Sequence, residues 1–209
     1  MKNGKRAFII LFVLVSSGIA ALLISAAPFE ESVLPVFIQG CFYTKTFQCF
    51  YMSEAPGEKV ANNWQTYSLP INKDNLAYDG MNGSWYDMAM LRIKAGSPAS
   101  GDAISIYIDN IKILNKAGEV LLSWDFNDGE AHGPYLSQGS GLDGNGTVVD
   151  LNGEKCFLLH GKTKSMYGNN GIEIQWNLPK NPQDKKGKWN LSDKKEEYTL
   201  SFDYFYAVK

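Results

Sequence analysis

Read with the two-residue period of a strand, residues 171–178 place Glu173, Gln175 and Asn177 on one face and Ile172, Ile174 and Trp176 on the other. The same reading of residues 85–95 turns Ala89, Leu91 and Ile93 inward and leaves Tyr86, Met88, Met90, Arg92 and Lys94 opposite. Side by side, these outer faces combine hydrogen-bonding groups with an aromatic ring, the make-up of a groove that holds sugar hydroxyls and stacks on a pyranose. Tyr135 and Trp189, both in polar loops, add two candidate rings. A ring covering about 80 Å² of sugar contributes on the order of 2 kcal/mol before association costs, so two or three such platforms give micromolar to millimolar binding.

Other chemistries lack their residues. Glycoside hydrolysis needs two facing carboxylates, and no strand carries an E-x-D-x-x-E pattern; Glu173 stands without an obvious partner. His132 and His160 are far apart and have no G-x-S-x-G setting for a nucleophilic serine. The three cysteines, Cys41, Cys49 and Cys156, form no C-x-x-C pair, which argues against zinc. A hairpin turning at Thr44, Lys45 and Thr46 would set Cys41 opposite Cys49, so either a disulfide or two free buried thiols fits. Net charge is −2, and the densest basic run, around Lys185, Lys186 and Lys188, alternates with acids. A nucleic-acid partner needs a one-sided basic surface and is excluded.

The elements that must position these residues are strands. Twenty glycines, eleven tyrosines, eleven phenylalanines and five tryptophans suit short strands joined by tight turns. Alternation predicts strands at residues 47–52, 64–71, 85–95, 104–114, 120–126, 155–160, 171–178 and 197–208, with a weaker one at 36–43. Beyond the N-terminal segment no stretch longer than ten residues has a helical period, so the class is all-β and the architecture a sandwich. Ahead of it, Lys2, Lys5 and Arg6 precede an apolar run over residues 7–24 and the small residues Ser25, Ala26 and Ala27. This reads as a signal peptide or an uncleaved membrane anchor over residues 1–27, and either places the folded part outside the cytoplasm, extracellular or at the cell surface. Membrane contact is then expected only through that segment, and residues 28–45 are read as a linker or edge strand.

Two motifs give the chain a family likeness. Ile106-Tyr107-Ile108-Asp109-Asn110-Ile111 resembles the last strand of the galactose-binding-like β-sandwich carbohydrate-binding modules appended to xylanases and β-glucanases, and Phe126-Asn127-Asp128-Gly129 resembles their first. Residues 45–209 share the likeness, but in the order back half, then front half. The resemblance implies a jelly-roll β-sandwich over residues 46–209, circularly permuted, or the end of one module (46–116) joined to the start of the next (119–209). The closed form is favoured because half a sandwich would expose its inner face and strand edges. It requires the strand at 47–52 to pair with that at 198–208. The resemblance also implies structural calcium (Ca2+) held by Asp109, Asp125 and Asp128, whose hard oxygens suit that ion. The implied function is non-catalytic binding of an extracellular polysaccharide of β-glucan or xylan type. A structural or adhesive cell-surface protein is the alternative, and a jelly-roll glycoside hydrolase the lesser one.

Overall fold

The computed structural model describes residues 32–135, 143–166, 169–192 and 197–208. The N-terminal signal or anchor lies outside the described residues; among those described, no helix is long and apolar enough to cross a membrane. Two antiparallel sheets make a β-sandwich. Sheet A contains β1 (Phe37–Thr44), β2 (Cys49–Met52), β4 (Leu76–Asp79), β5 (Met88–Ser97), β8 (Pro134–Tyr135), β11 (Lys164–Met166) and β12 (Asn169–Asn177), in the order β11-β12-β5-β1-β2-β4 with β8 also on β12. Sheet B contains β3 (Trp64–Pro70), β6 (Ala103–Leu114), β7 (Val120–Trp124), β9 (Asp143–Leu151), β10 (Glu154–Lys162) and β13 (Thr199–Tyr206), in the order β3-β13-β6-β10-β9 with β7 also on β6.

The strands close otherwise than a permuted module requires. β2 pairs with β1 and β4 in sheet A, while β13 pairs with β3 and β6 in sheet B, so the expected pairing of 47–52 with 198–208 is not made. Nor do the halves separate at the β6–β7 hairpin, because β12 pairs β5, β10 pairs β6 and β13 pairs β3 across it. β1, expected as linker or edge, is an interior strand of sheet A with β2 on one side and β5 on the other.

Alternation explains which faces meet. Ile38 and Phe42 of β1, Leu91, Ile93 and Ala95 of β5, and Ile172, Ile174 and Trp176 of β12 face a core completed by Leu200, Phe202, Tyr204 and Tyr206 of β13. At Gly40 the two sheets approach so closely that a Cβ would meet the Leu200 side chain, so the position has room only for hydrogen. On β6, Ile104, Ile106 and Ile108 point inward, and so do Ile111 and Ile113, an odd step across Asp109 and Asn110. Asn110 adopts φ 50°, and the pairing with β13 shifts register between Ser201 and Asp203. The Asp109-Asn110 pair is therefore a β-bulge whose extra residue keeps the isoleucines inward on both sides of it, rather than a strand end. There the other edge of β6 changes partner, from β10 up to Ile108 to β7 from Ile111.

Candidate ligand-binding face

The side of sheet A turned away from the core is built in rows. Register aligns Tyr135, Gln175, Arg92, Cys41, Tyr51 and Tyr78 across six strands; the next row on one side carries Glu173, Lys94 and Gln39, and on the other Asn177, Met90, Tyr43 and Cys49. In-register neighbours on one face lie about 5 Å apart, which makes the side chains from Gln175 to Tyr78 neighbours along the row. The sequence brings Arg92, Glu173, Gln175 and Asn177 to this face because the strands that carry them, β5 and β12, pair directly.

Arg92 is the centre of the face. Its Nε donates to Gln175 Oε1 at 2.6 Å and its Nη1 to Glu173 Oε1 at 2.5 Å, while the guanidinium carbon lies 4.0 Å above the Tyr43 ring. Arg92 and Glu173 are 5% and 2% exposed, so the pair sits where charges are costly unless matched. Burial pushes the Glu173 carboxyl above its usual range, opposed by Arg92 and Lys94. Tyr43 donates to the Tyr51 hydroxyl at 3.0 Å, and the Tyr51 ring centroid is 5.6 Å from that of Tyr78, which is 53% exposed on edge strand β4. Burial raises the Tyr51 phenol to about 12, against the hydrogen bond from Tyr43, so it stays a neutral hydroxyl. Tyr78 is held at the rim by the turn behind it: Asp79 accepts from the amides of Met81 and Gly83 and from the Trp85 indole, at 2.9, 2.7 and 3.0 Å. The face thus exposes Tyr78 at its rim, above a nearly buried layer of Tyr43, Arg92, Glu173 and Gln175, and among the described residues it carries no pair of free carboxylates.

Two expected members are placed differently. Tyr86 precedes β5, and Asp87, with φ 59°, breaks the alternation on which its assignment rested; Tyr86 is 59% exposed beside Asp87, which pairs with Lys188 at 2.9 Å. The phase is offset again at Ala89, which bulges from β5 opposite the Tyr43-to-Thr44 step, so Met88 joins the core and Ala89 packs with the outer cluster. Trp189 is 1% exposed and donates its indole N–H to Pro179 O at 2.7 Å, a core residue with no face for a sugar. Tyr135 is placed only by its backbone, in register opposite Gln175. Tyr43, Tyr51 and Tyr78 were missed, although period-two reading of residues 36–43 and 47–52 would have put the first two on one surface.

The acids expected to hold calcium sit at the bulge on sheet B. Asp109 accepts from its neighbour's amide at 2.7 Å, and the Asn110 side chain bridges it to Asp203 on β13 at 3.3 and 3.0 Å. Burial lifts the Asp109 carboxyl to about 6, and the charges of Asp203, Asp125 and Glu154 add to this. Asp125 caps the Asn127 amide at 3.2 Å, and Asp128 caps the Glu130 amide at 2.8 Å, 3.9 Å from His132 Nε2. Among the described residues no group of three or more His, Cys, Asp or Glu is placed to hold a metal, and the geometry gives a shared calcium no support. The cysteines are free. Register sets Cys41 opposite Tyr51 and Cys49 opposite Tyr43, because the hairpin turns over residues 45–48, with Phe47 at φ 62°, centred one residue later than a facing pair needs.

Compared with known proteins, the chain matches no family model, no curated protein and no solved structure.

Proposed function

We propose that the outer face of sheet A binds an extracellular polysaccharide without cleaving it. The observation that carries this reading is the Arg92 network, bonded to Glu173 and Gln175 and stacked on Tyr43, continued by Tyr51 and Tyr78 to the exposed rim. Tyrosines with locked rings lose little entropy on stacking, and polar groups already held by neighbours need no reordering when a sugar hydroxyl arrives. The likeness of the Asp109 and Asp128 motifs to carbohydrate-binding modules points the same way, and β-glucan or xylan is the chain type they suggest. Glu173 is engaged by Arg92, and among the described residues no second carboxylate stands beside it, which favours binding over hydrolysis.

Affinity electrophoresis against a panel of plant and microbial polysaccharides tests the reading. At least one is expected to retard the protein with a dissociation constant in the micromolar to millimolar range, about −8 to −4 kcal/mol. Tyr78→Ala and Gln175→Ala should weaken binding about tenfold each, and Tyr86→Ala should not. Retardation by no polysaccharide refutes it.

The adhesive reading has a different surface behind it. The outer face of sheet B carries an apolar cluster of Tyr107, Cys156 and Leu158 with Trp64, Val149 and Phe205 packed against it, a composition suited to protein contact.

A further inference from the structure

At the centre of the outer face of sheet A, among the described residues, cations outnumber anions. Arg92 and Lys94 bring two cations, Glu173 brings one anion, and Glu173 is hydrogen-bonded to Arg92. Lys94 is 3% exposed, yet among the described residues its ammonium has neither an ion pair within contact distance nor a hydrogen bond; it stands opposite Glu173, whose charge it feels but whose carboxylate is bonded to Arg92, and the ring centroids of Phe37 and Tyr51 lie 5.6 and 5.8 Å away. Ring faces at that distance offset only part of what an ammonium loses by leaving water. The lysine stem is nevertheless given its own space. Position 171 is a glycine, and a Cβ there would stand 3.2 Å from Lys94 Cε and 2.8 Å from Ala95 O. Glycine therefore lets the chain lie across β12 with its charged end on the sugar-facing side.

We propose that Lys94 is the recognition point for a carboxylate, so that the glycan bound by this face carries uronic acid residues. A ligand carboxylate gives the Lys94 ammonium the direct partner that Glu173, bonded to Arg92, does not, and an ammonium-to-carboxylate hydrogen bond is about twice as strong as a neutral one. Arg92 is the weaker candidate, because its charge is already matched by Glu173. This inference rests on the polysaccharide reading and names the substrate class for the same site.

Calorimetric titration of the full chain with two oligosaccharides of equal length, one neutral xylo-oligosaccharide and one bearing glucuronate, tests it. The acidic ligand is expected to bind at least tenfold tighter, and the ratio to shrink as salt rises, as screening requires. Lys94→Met, which keeps the stem and removes the charge, should bring the ratio close to one. Should that variant not fold, competition on the wild type decides: free glucuronate should displace the acidic ligand, and free xylose at the same concentration should not. Equal affinity for both oligosaccharides overturns the carboxylate inference and leaves the polysaccharide reading standing. Binding of neither overturns both. A stronger response to a sulfated oligosaccharide than to the uronate also overturns the assignment, since it would mark a site for sulfate esters.

Discussion

Replacing Arg92 by leucine should expose the electrostatics of the outer face most plainly. The substitution keeps much of the buried stem but leaves Glu173, 2% exposed, without its partner and with Gln175 deprived of its donor. Breaking a buried pair from one side costs about 3–5 kcal/mol, because the remaining charge is neither hydrated nor matched. For a chain of this length that is a fall in melting midpoint of roughly 6–20 °C. The sign of the pH dependence follows from Glu173, whose carboxyl burial already raises. A raised carboxylate contributes stability at low pH that is lost as pH climbs through its folded value. Without Arg92 that value rises further, so the deficit should be largest near neutral pH and shrink as pH falls toward the ordinary glutamate range. Glu173→Gln in the Arg92→Leu background should recover most of the loss and remove its pH dependence. Urea denaturation at several pH values, on wild type, both single variants and the double, closes the cycle. An Arg92→Leu loss below about 1 kcal/mol, or one independent of pH, refutes the reasoning.

Three further outcomes are expected. Asp109→Asn should stabilise the protein above about pH 6, because ionising Asp109 in the fold costs stability as pH rises from 3.8 to about 6; after screening at this partly wetted site the gain is about 1–2 kcal/mol, read from thermal midpoints against pH. Gly40→Ala should cost about 1–3 kcal/mol by forcing the new methyl against Leu200 between the sheets, measured by chemical denaturation. Thiol titration with an aromatic disulfide should modify the half-buried Cys49 first; Cys41 and Cys156 are 0% exposed, and burial pushes both thiols up, Cys156 to about 12, so they should react only on unfolding.

Legibility in the sequence followed the regularity of the strands. Where alternation ran unbroken, as in residues 171–178, the inward and outward sets were both readable, which is why Glu173, Gln175 and Asn177 fall together on the outer face; Arg92 keeps its parity because the offsets at Asp87 and Ala89 lie ahead of it. Where one residue in a left-handed conformation intervened, parity failed. Asp87 detached Tyr86 from the face, and Asn110 put a bulge in the middle of the strand over 104–114, reversing its parity. β9 was hidden because Gly144 and Gly146 read as loop; in the fold Gly146 is a strand residue whose missing side chain makes room for the Phe157 ring. Trp189 was misplaced because its neighbours are polar, while its own ring is drawn into the core by the Pro179 carbonyl and Tyr198. The pairing of distant strands depends on which faces fit across the sandwich, and local pattern does not carry it: β1 reads as an edge by sequence position and is interior by partnership.

Hydroxyl-radical footprinting in the presence of a retained polysaccharide tests the central claim most directly, because two comparably exposed tyrosines lie on different parts of the surface. Tyr78, 53% exposed at the rim of the outer face, should lose most of its reactivity when ligand is bound, and Tyr86, 59% exposed beside Lys188, should keep its own. Protection of Tyr86 with Tyr78 unchanged would contradict the account and move the site away from sheet A's outer face.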